Sequence, residues 1–551
     1  MADKLFVIAI GGTGMRCLES FTHLCGIGMF DNQEIEILTL DTDQTNGNKA
    51  KAEDLVRLYS RVKTYGESEG GTPNANTFFS AKLNLHRYWT NYSGVGRENY
   101  KNLSKITTGS PESQKQNKLI SDLFLAEDSV QEFNLAHGYR AQTHLGSMLM
   151  YNGIVEAAKN IAKGTNVQVE EKDLEKFVSK LELAGANARI FIFGSVFGGT
   201  GASSIPVIPK ALQDFVKIRS GGKSDIDFTK AKFGATLLTE YFTFKKPDNK
   251  QTSTKHDSII ADSSFFPLNS QAALQFYQGD PTVKKCYKKL YHVGWPITSK
   301  KIDEEGKEKT ETGGANQLNP CHITELLCAC AAFDFFTTNK GMDDSTSDAE
   351  YLYKAVEFKD NSFNFSFNDF VGSENKAGET FANRLGAFFS LAHISLTKNG
   401  AAWGDSGIKG FIKRCEEQKL PQYSEITDDD CADLNNYFKL FAYTFNTNNR
   451  FIPGWLYQVR STIAPGAFMF DSKAFADTPS ELKKLDIGEL FTDKKYHWPG
   501  GVLGFGDSYD TFVKQLIKTD FKPEQKVNTT KEKFLAHIYN SITESQSALT
   551  K

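Results

Sequence analysis

Twice in this chain a short apolar run breaks into a glycine-rich turn and then an amphipathic segment, a repeated device that narrows the fold more than any other feature. The later copy is RIFIFGSVFGGTGASSIP at 189–206. Its opening residues Ile190, Phe191, Ile192 and Phe193 form a run too short for a typical helix and suited to a buried parallel strand. Gly194, Gly198, Gly199 and Gly201 then free the backbone to approach a ligand, while Thr200, Ser203 and Ser204 supply hydroxyl partners. Ile205, Val207, Ile208, Ala211, Leu212 and Phe215 recur at helical spacing, which predicts a helix starting at the loop with Pro206 in its first turn. The free N–H groups of such a helix start favour an anion, and a polyphosphate is the expected ligand. The earlier copy, KLFVIAIGGTG at 4–14, runs strand residues 5–10 into Gly11, Gly12, Thr13 and Gly14 and continues through Met15, Leu18, Phe21, Thr22 and Leu24. Either loop alone serves equally well as a tight turn; the pair argues for a shared phosphate-binding role.

A length of 551 residues allows two to four domains, and a net charge of −3 with interspersed acidic and basic residues gives no basic field for nucleic acid. No apolar run reaches the ~18 residues of a membrane span. The N-terminal MADKLFVIAIGG reads as a strand leading into a loop rather than a secretory signal, so a cytoplasmic protein is expected. The eight cysteines, at 17, 25, 286, 321, 328, 330, 415 and 431, contain no CxxC pair, and the ten histidines form no cluster. No metal site is implied, and the thiols read as small buried side chains.

EIEILTL at 34–40 predicts a second strand ending at Asp41, Thr42 and Asp43. Acidic residues at that end of a parallel strand can hold a ribose or a hydrated cation such as magnesium, although a solvated strand end explains Asp43 equally well. Residues 45–134 read as a polar insertion of helices and turns, with a loop at 66–77. A helix is expected over 137–162, and at its start Arg140, Thr143 and His144 are candidates to meet a terminal phosphate; plain solvation of Arg140 stays open. KFGATLLTEYFTF at 232–244 predicts a strand, PLNSQAALQFY at 267–277 a helix, and ITELLCACAAFDFF at 323–336 a buried helix. Residues 301–312 form a charged seam. Beyond 337, Phe363, Phe365 and Phe367 alternate as in a half-buried strand, Phe381, Leu385, Phe388, Phe389 and Ala392 space as a helix, and Phe534, Leu535, Ile538 and Ile542 share one helical face. The expected fold is α/β: a parallel-sheet nucleotide-binding domain over 1–300, a loop and helix over 301–336, and a second α+β domain over 337–551.

These residues resemble the tubulin/FtsZ superfamily, specifically its bacterial tubulin-like branch. FGSVFGGTGASSIPVI at 193–208 resembles the family's GGGTGSG-type loop, IAIGGTGMRCLES at 8–20 its first phosphate loop, and LTLDTDQTN at 38–46 its second-strand segment. ATLLTEYFTF at 235–244 is similar to the strand before the ribose loop, and FPLNSQAALQFY at 266–277 to the helix whose asparagine meets the base. The resemblance reaches to about residue 336. It implies GTP or GDP as ligand, a central helix, and self-association into filaments with nucleotide at subunit contacts. Gly11–Gly14 and 198–202 (Gly198, Gly199, Thr200, Gly201 and Ala202) would cradle phosphates, Asp41 and Asp43 would support the sugar or magnesium, and Asn269 would read the base.

Hydrolysis in that family needs an acidic residue that one subunit inserts into its neighbour's site, and the matching stretch is QLNPCHITE at 317–325. Aligning Asn319 puts Cys321 and Thr324 where the family has carboxylates and leaves Glu325 one residue late, about 100° of helical rotation. Glu325, or His322 in its place, is the hydrolytic candidate. Lys245 stands where an acidic ribose contact is usual. Two other readings remain: a non-hydrolysing nucleotide-bound scaffold, favoured by the altered 319–325 stretch, and a nicotinamide-dependent oxidoreductase, favoured by Gly12-x-Gly14 with Asp41 but opposed by Cys17 at the third glycine position.

Overall fold

A computed structural model of the chain describes residues 3–359 apart from 44–45, 64–76, 91–97, 107–110, 126–127, 165–166, 225, 244–260, 296–321, 340–341, 343–347 and 356. Beyond these it describes 362–364, 384, 388, 391, 412, 423, 425–441 and 529–549. Expectations resting on 66–76, Lys245, 301–312, 317–321, Phe365, Phe367, Phe381, Leu385, Phe389 and Ala392 lie outside the described residues.

Seven strands, β1 (Lys4–Ile10), β2 (Glu34–Asp41), β3 (Lys82–Trp89), β4 (Ala188–Phe193), β5 (Lys232–Leu238), β6 (Tyr287–Gly294) and β7 (Glu350–Ala355), make one sheet in the order β3-β2-β1-β4-β5-β6-β7. Every pairing is parallel. Such a sheet must be covered on both faces, which explains why β1 and β4 are apolar at nearly every position. Side chains alternate: Leu5, Val7 and Ala9 join one core, Phe6, Ile8 and Ile10 the other.

The helices divide between these faces. α1 (Gly11–Gly26) and α2 (Gly47–Lys63) cover the Val7 face. The segment after β3 holds α3 (Tyr100–Ile106), α4 (Pro111–Phe124) and α5 (Asp128–Glu132), and then α6 (Thr143–Lys163) and α7 (Val169–Ala184) cover the Ile8 face. Residues 45–134 are therefore more than an insertion, because they supply α2 and the edge strand β3. That strand, KLNLHRYW, is only half-buried, and its mixed polarity hides it in the sequence.

After β4 the expected single helix is two: α8 (Thr200–Ser204) and α9 (Ile208–Arg219). Pro206 lies in the break and Pro209 in the first turn of α9; neither has an N–H to continue a helical ladder. α10 (Phe266–Gly279) and α11 (Pro281–Cys286) lead to β6, a strand concealed by Lys288 and Lys289.

α12 (Ile323–Thr337) is apolar around most of its surface and lies on the α1 face against β4, β5 and β6. Its C-terminal end is held by Arg189, whose Nη1 donates to the carbonyls of Phe335 (3.0 Å), Phe336 (3.2 Å) and Thr338 (2.7 Å). The chain moves outward from β4 to β5 to β6 with its helices on the Ile8 face, then from β6 to β7 with α12 on the opposite face. The β6–α12–β7 connection thus has the hand opposite to its predecessors, against the usual rule.

β7 lies beyond residue 337 yet completes the main sheet, so the expected boundary at 337 does not divide it. β8 (Glu357–Lys359) and β9 (Ser362–Asn364) form a separate antiparallel pair. α13 (Asp428–Phe441) and α14 (Thr530–Leu549) add Phe438, Phe534, Leu535 and Ile538 to the α1-side core. Lys531 pairs with Asp430 at 2.8 Å, and His23 Nδ1 meets the Tyr437 hydroxyl at 2.9 Å.

α1 can follow β1 directly because Gly14 has no side chain: a Cβ there would lie 2.5 Å from the Phe193 carbonyl oxygen. Gly14→Ala forces α1 away from β4, and chemical denaturation should show a loss of about 2 kcal/mol of stability.

Candidate functional site

The register β1–β4 (Ala9 beside Phe193) and β1–β2 (Ile10 beside Leu40) brings the loops after three strands to one edge of the sheet. They enclose a pocket of about 210 Å³, at the point where the strand order reverses, which is where open parallel sheets bind ligands. Gly11, Gly12 and Thr13 line one wall and Gly198, Gly199, Thr200 and Gly201 another. Gly11 adopts φ +66°, and a Cβ there would lie 3.1 Å from Thr200 Cβ, so the two glycine loops are in contact.

The start of α1 is bare. Ile10 provides no side-chain cap and the first turn holds no acidic residue. Its amides and the positive end of its dipole therefore face the pocket, an arrangement that favours an anion. The opposite lip is the 137–141 segment, where Arg140 (φ +45°) and Ala141 (φ +65°) are both left-handed. This costly conformation is held by Gln142 N–H donating to the Tyr139 carbonyl (2.8 Å) and by Gly199, where a Cβ would come within 2.8 Å of the Ala141 nitrogen. Arg140 lines the pocket with its guanidinium carbon 5.9 Å from the Phe133 ring centre.

Asp41 and Asp43 form the polar flank. Asp41 is 1% exposed. Its Oδ1 accepts the amides of Thr42 (2.7 Å) and Asp43 (3.3 Å), and its Oδ2 accepts from Asn46 Nδ2 (3.1 Å). Burial first, and the neighbouring charge of Asp43 second, push its carboxyl up to about 6. Asn46 also reaches Gly12, where a Cβ would lie 2.8 Å from its Nδ2, so the turn after β2 buttresses the first glycine loop.

The other end of the pocket is aromatic. Phe197, Phe242 and Phe266 line it, with Phe197 4.9 Å from Phe266 and 5.4 Å from Phe242 between ring centres. Tyr241 stacks edge-on against Phe242 at 4.9 Å and donates its hydroxyl to Glu325 Oε1 at 2.6 Å. Glu325 also forms a buried ion pair with Nε of Arg16, which lines the pocket one turn beyond Gly12 on α1.

Asn269, Glu325 and His322 take other roles than expected. Asn269 does not line the pocket; its Nδ2 donates to the Phe197 carbonyl at 3.3 Å and steadies the second loop. Glu325 is fully buried, engaged by Arg16, Tyr241 and the amide of His322 (2.7 Å), so it is held inside the fold rather than presented at the surface. His322 is equally buried. It caps α12, its Nδ1 accepting the Thr324 amide at 3.2 Å, and its ring packs between Tyr241 and Trp295. Gly14 and Ala202 support the loops from beneath, the Ala202 carbonyl accepting the Tyr277 hydroxyl. No motif marks Arg16 in the sequence, and α1 also carries Glu19 and His23, so its charge alone does not single it out.

Among the described residues, no group of three or more histidine, cysteine, aspartate and glutamate side chains is arranged to hold a metal, and no helix is long and apolar enough to cross a membrane. Comparison with protein-family models, with characterised proteins and with solved structures returns no match to this chain.

A carboxyl raised in the fold contributes stability below its unfolded value near 3.8 and loses it as pH rises through about 6. Asp41→Asn should accordingly stabilise the ligand-free protein at pH 7.5 by on the order of 2 kcal/mol, a gain that shrinks toward zero near pH 4 when denaturation is followed at both pH values.

Proposed function

We propose that this chain is a nucleotide-binding protein of the tubulin/FtsZ type, holding GTP or GDP in the pocket between β1 and β4 and associating with copies of itself. One observation carries the reading: two glycine loops more than 180 residues apart in the sequence meet in a single pocket at the uncapped start of α1. The pocket also has the polarity of a nucleotide, with an anion cradle at one end and three phenylalanines at the other. Glycine-loop amides and Arg140 would hold the phosphates, and Asp41, Asp43 and Asn46 the sugar side or a magnesium ion that the phosphates also bind. Bound magnesium would offset phosphate charge.

For hydrolysis, the structure favours the second reading, a nucleotide-bound scaffold. Glu325 and His322 are both buried and committed to capping α12, and neither is presented to a neighbouring subunit. Phosphate release per subunit should stay flat as protein concentration rises; a steep rise would mean that association completes a catalytic site.

The order β3-β2-β1-β4-β5-β6 is also that of dinucleotide-binding sheets, so the identity of the ligand decides between the classes. Denaturing the purified protein and identifying what it releases should yield a guanine nucleotide, and a nicotinamide dinucleotide would overturn the proposal. Gly198→Val is the suitable variant, because a Cβ at 198 meets only Ser195 Oγ at 3.4 Å, whereas one at Gly201 meets the Ser195 backbone at 2.7 Å. The Gly198 variant should fold normally and lose at least about tenfold in nucleotide affinity by calorimetry, a change of 1.4 kcal/mol or more.

A further inference from the structure

We propose that Tyr277, together with Asn269, is a positioning residue for the second glycine loop: from α10 the two side chains grip the backbone on either side of residues 198–201 and hold the loop in its ligand-ready shape. The inference rests on the nucleotide reading above and deepens it by naming what sets the shape of the cradle. Asn269 Nδ2 donates to the Phe197 carbonyl at 3.3 Å, and the Tyr277 hydroxyl donates to the Ala202 carbonyl. Between those two carbonyls the chain has Gly198, Gly199, Thr200 and Gly201, and all four line the pocket.

A loop of this composition needs an external hold. Three glycines in four positions bring little side-chain packing and much backbone freedom, which a ligand would otherwise have to remove on binding. Bonds to β5 secure the approach as far as Val196: the Gly194 N–H donates to Thr236 Oγ1 (3.1 Å) and the Val196 N–H to the Leu238 carbonyl (2.9 Å). α10 takes over at the next residue, Phe197. Its buried face is given to this task, with Phe266 lining the pocket, Ser270 anchored on Glu240 at 2.6 Å, and Tyr277 fully buried against the loop's far end. Burial pushes the Tyr277 phenol up, so the hydroxyl stays a proton donor. Tyr287 offers a natural comparison. Its hydroxyl is equally buried and donates to the Ile205 carbonyl, past the end of α8 and off the pocket lining.

The test measures affinity for GTP and for inorganic tripolyphosphate, a ligand with no base, by calorimetry on the full chain. Tyr277→Phe and Asn269→Ala should each lose about threefold to tenfold for both ligands, because the change lies at the phosphate end. Tyr287→Phe deletes the same kind of buried donor and should leave both affinities within about twofold of the wild type, which separates positioning of the loop from support of the fold. Asn269 is half-buried and alanine suits a helix, so Asn269→Ala reports even where Tyr277→Phe fails to fold. Unchanged affinities in Tyr277→Phe and Asn269→Ala, an equal loss in Tyr287→Phe, or a loss for GTP that tripolyphosphate does not share overturns the inference while leaving the nucleotide reading intact. A wild type that binds neither ligand overturns the nucleotide reading and this inference together.

Discussion

Parallel pairing of β1 with β4 is the constraint on which the rest of the molecule depends. These strands are separated by some 180 residues, yet their register sets Ala9 against Phe193 and so starts both glycine loops at the same level of the sheet. The approach is close enough that Gly14 of one unit rests on the carbonyl of Phe193 in the other. A side chain at that contact would part the two loops, and with them the pocket. Most of the burial in the fold serves this pairing: β1 and β4 are covered on one face by α1 and α12 and on the other by α6 and α9.

A second layer of organisation runs through buried charge. α12 is clamped by an arginine at each end, Arg16 at its first turn and Arg189 at its last carbonyls. Buried ions are costly unless fully partnered, and here each is: Arg16 and Glu325 neutralise each other beside the pocket, and Arg189 is paired with Asp3 as well as bonded to the helix end. The consequence is that α12 has little freedom to slide, and its N-terminal turn is tied to a residue that lines the pocket.

The strand–glycine–helix units were legible because their chemistry is local: an apolar run, a run of glycines and a helical face need no knowledge of the rest of the chain. β3, β6 and β7 were not, because an edge strand such as KLNLHRYW and a strand carrying Lys288 and Lys289 depart from the apolar signature and owe their conformation to their neighbours. The break between α8 and α9 is written in Pro206 and Pro209. For the site, the residues drawn from the glycine loops and the end of β2 do come together, while Asn269 is turned to the Phe197 carbonyl and Glu325 and His322 are buried at the start of α12. Motif position specifies where a residue falls in the chain; whether its side chain faces a pocket or caps a helix depends on a few tens of degrees of rotation that only packing decides.

The reversed hand of the β6–α12–β7 connection bears on the order in which the chain can assemble. Phe191 of the central strand, which itself packs on Phe193, is roofed by Phe335 and Phe336 of a helix that is synthesised some 140 residues later. Until that helix arrives, a nascent six-stranded sheet has an uncovered aromatic strip down its middle, and β7 cannot seat until the chain has crossed back over it. Long-range contacts of this kind close slowly. The molecule therefore has a built-in late step, during which exposed phenylalanines are its point of greatest vulnerability to aggregation.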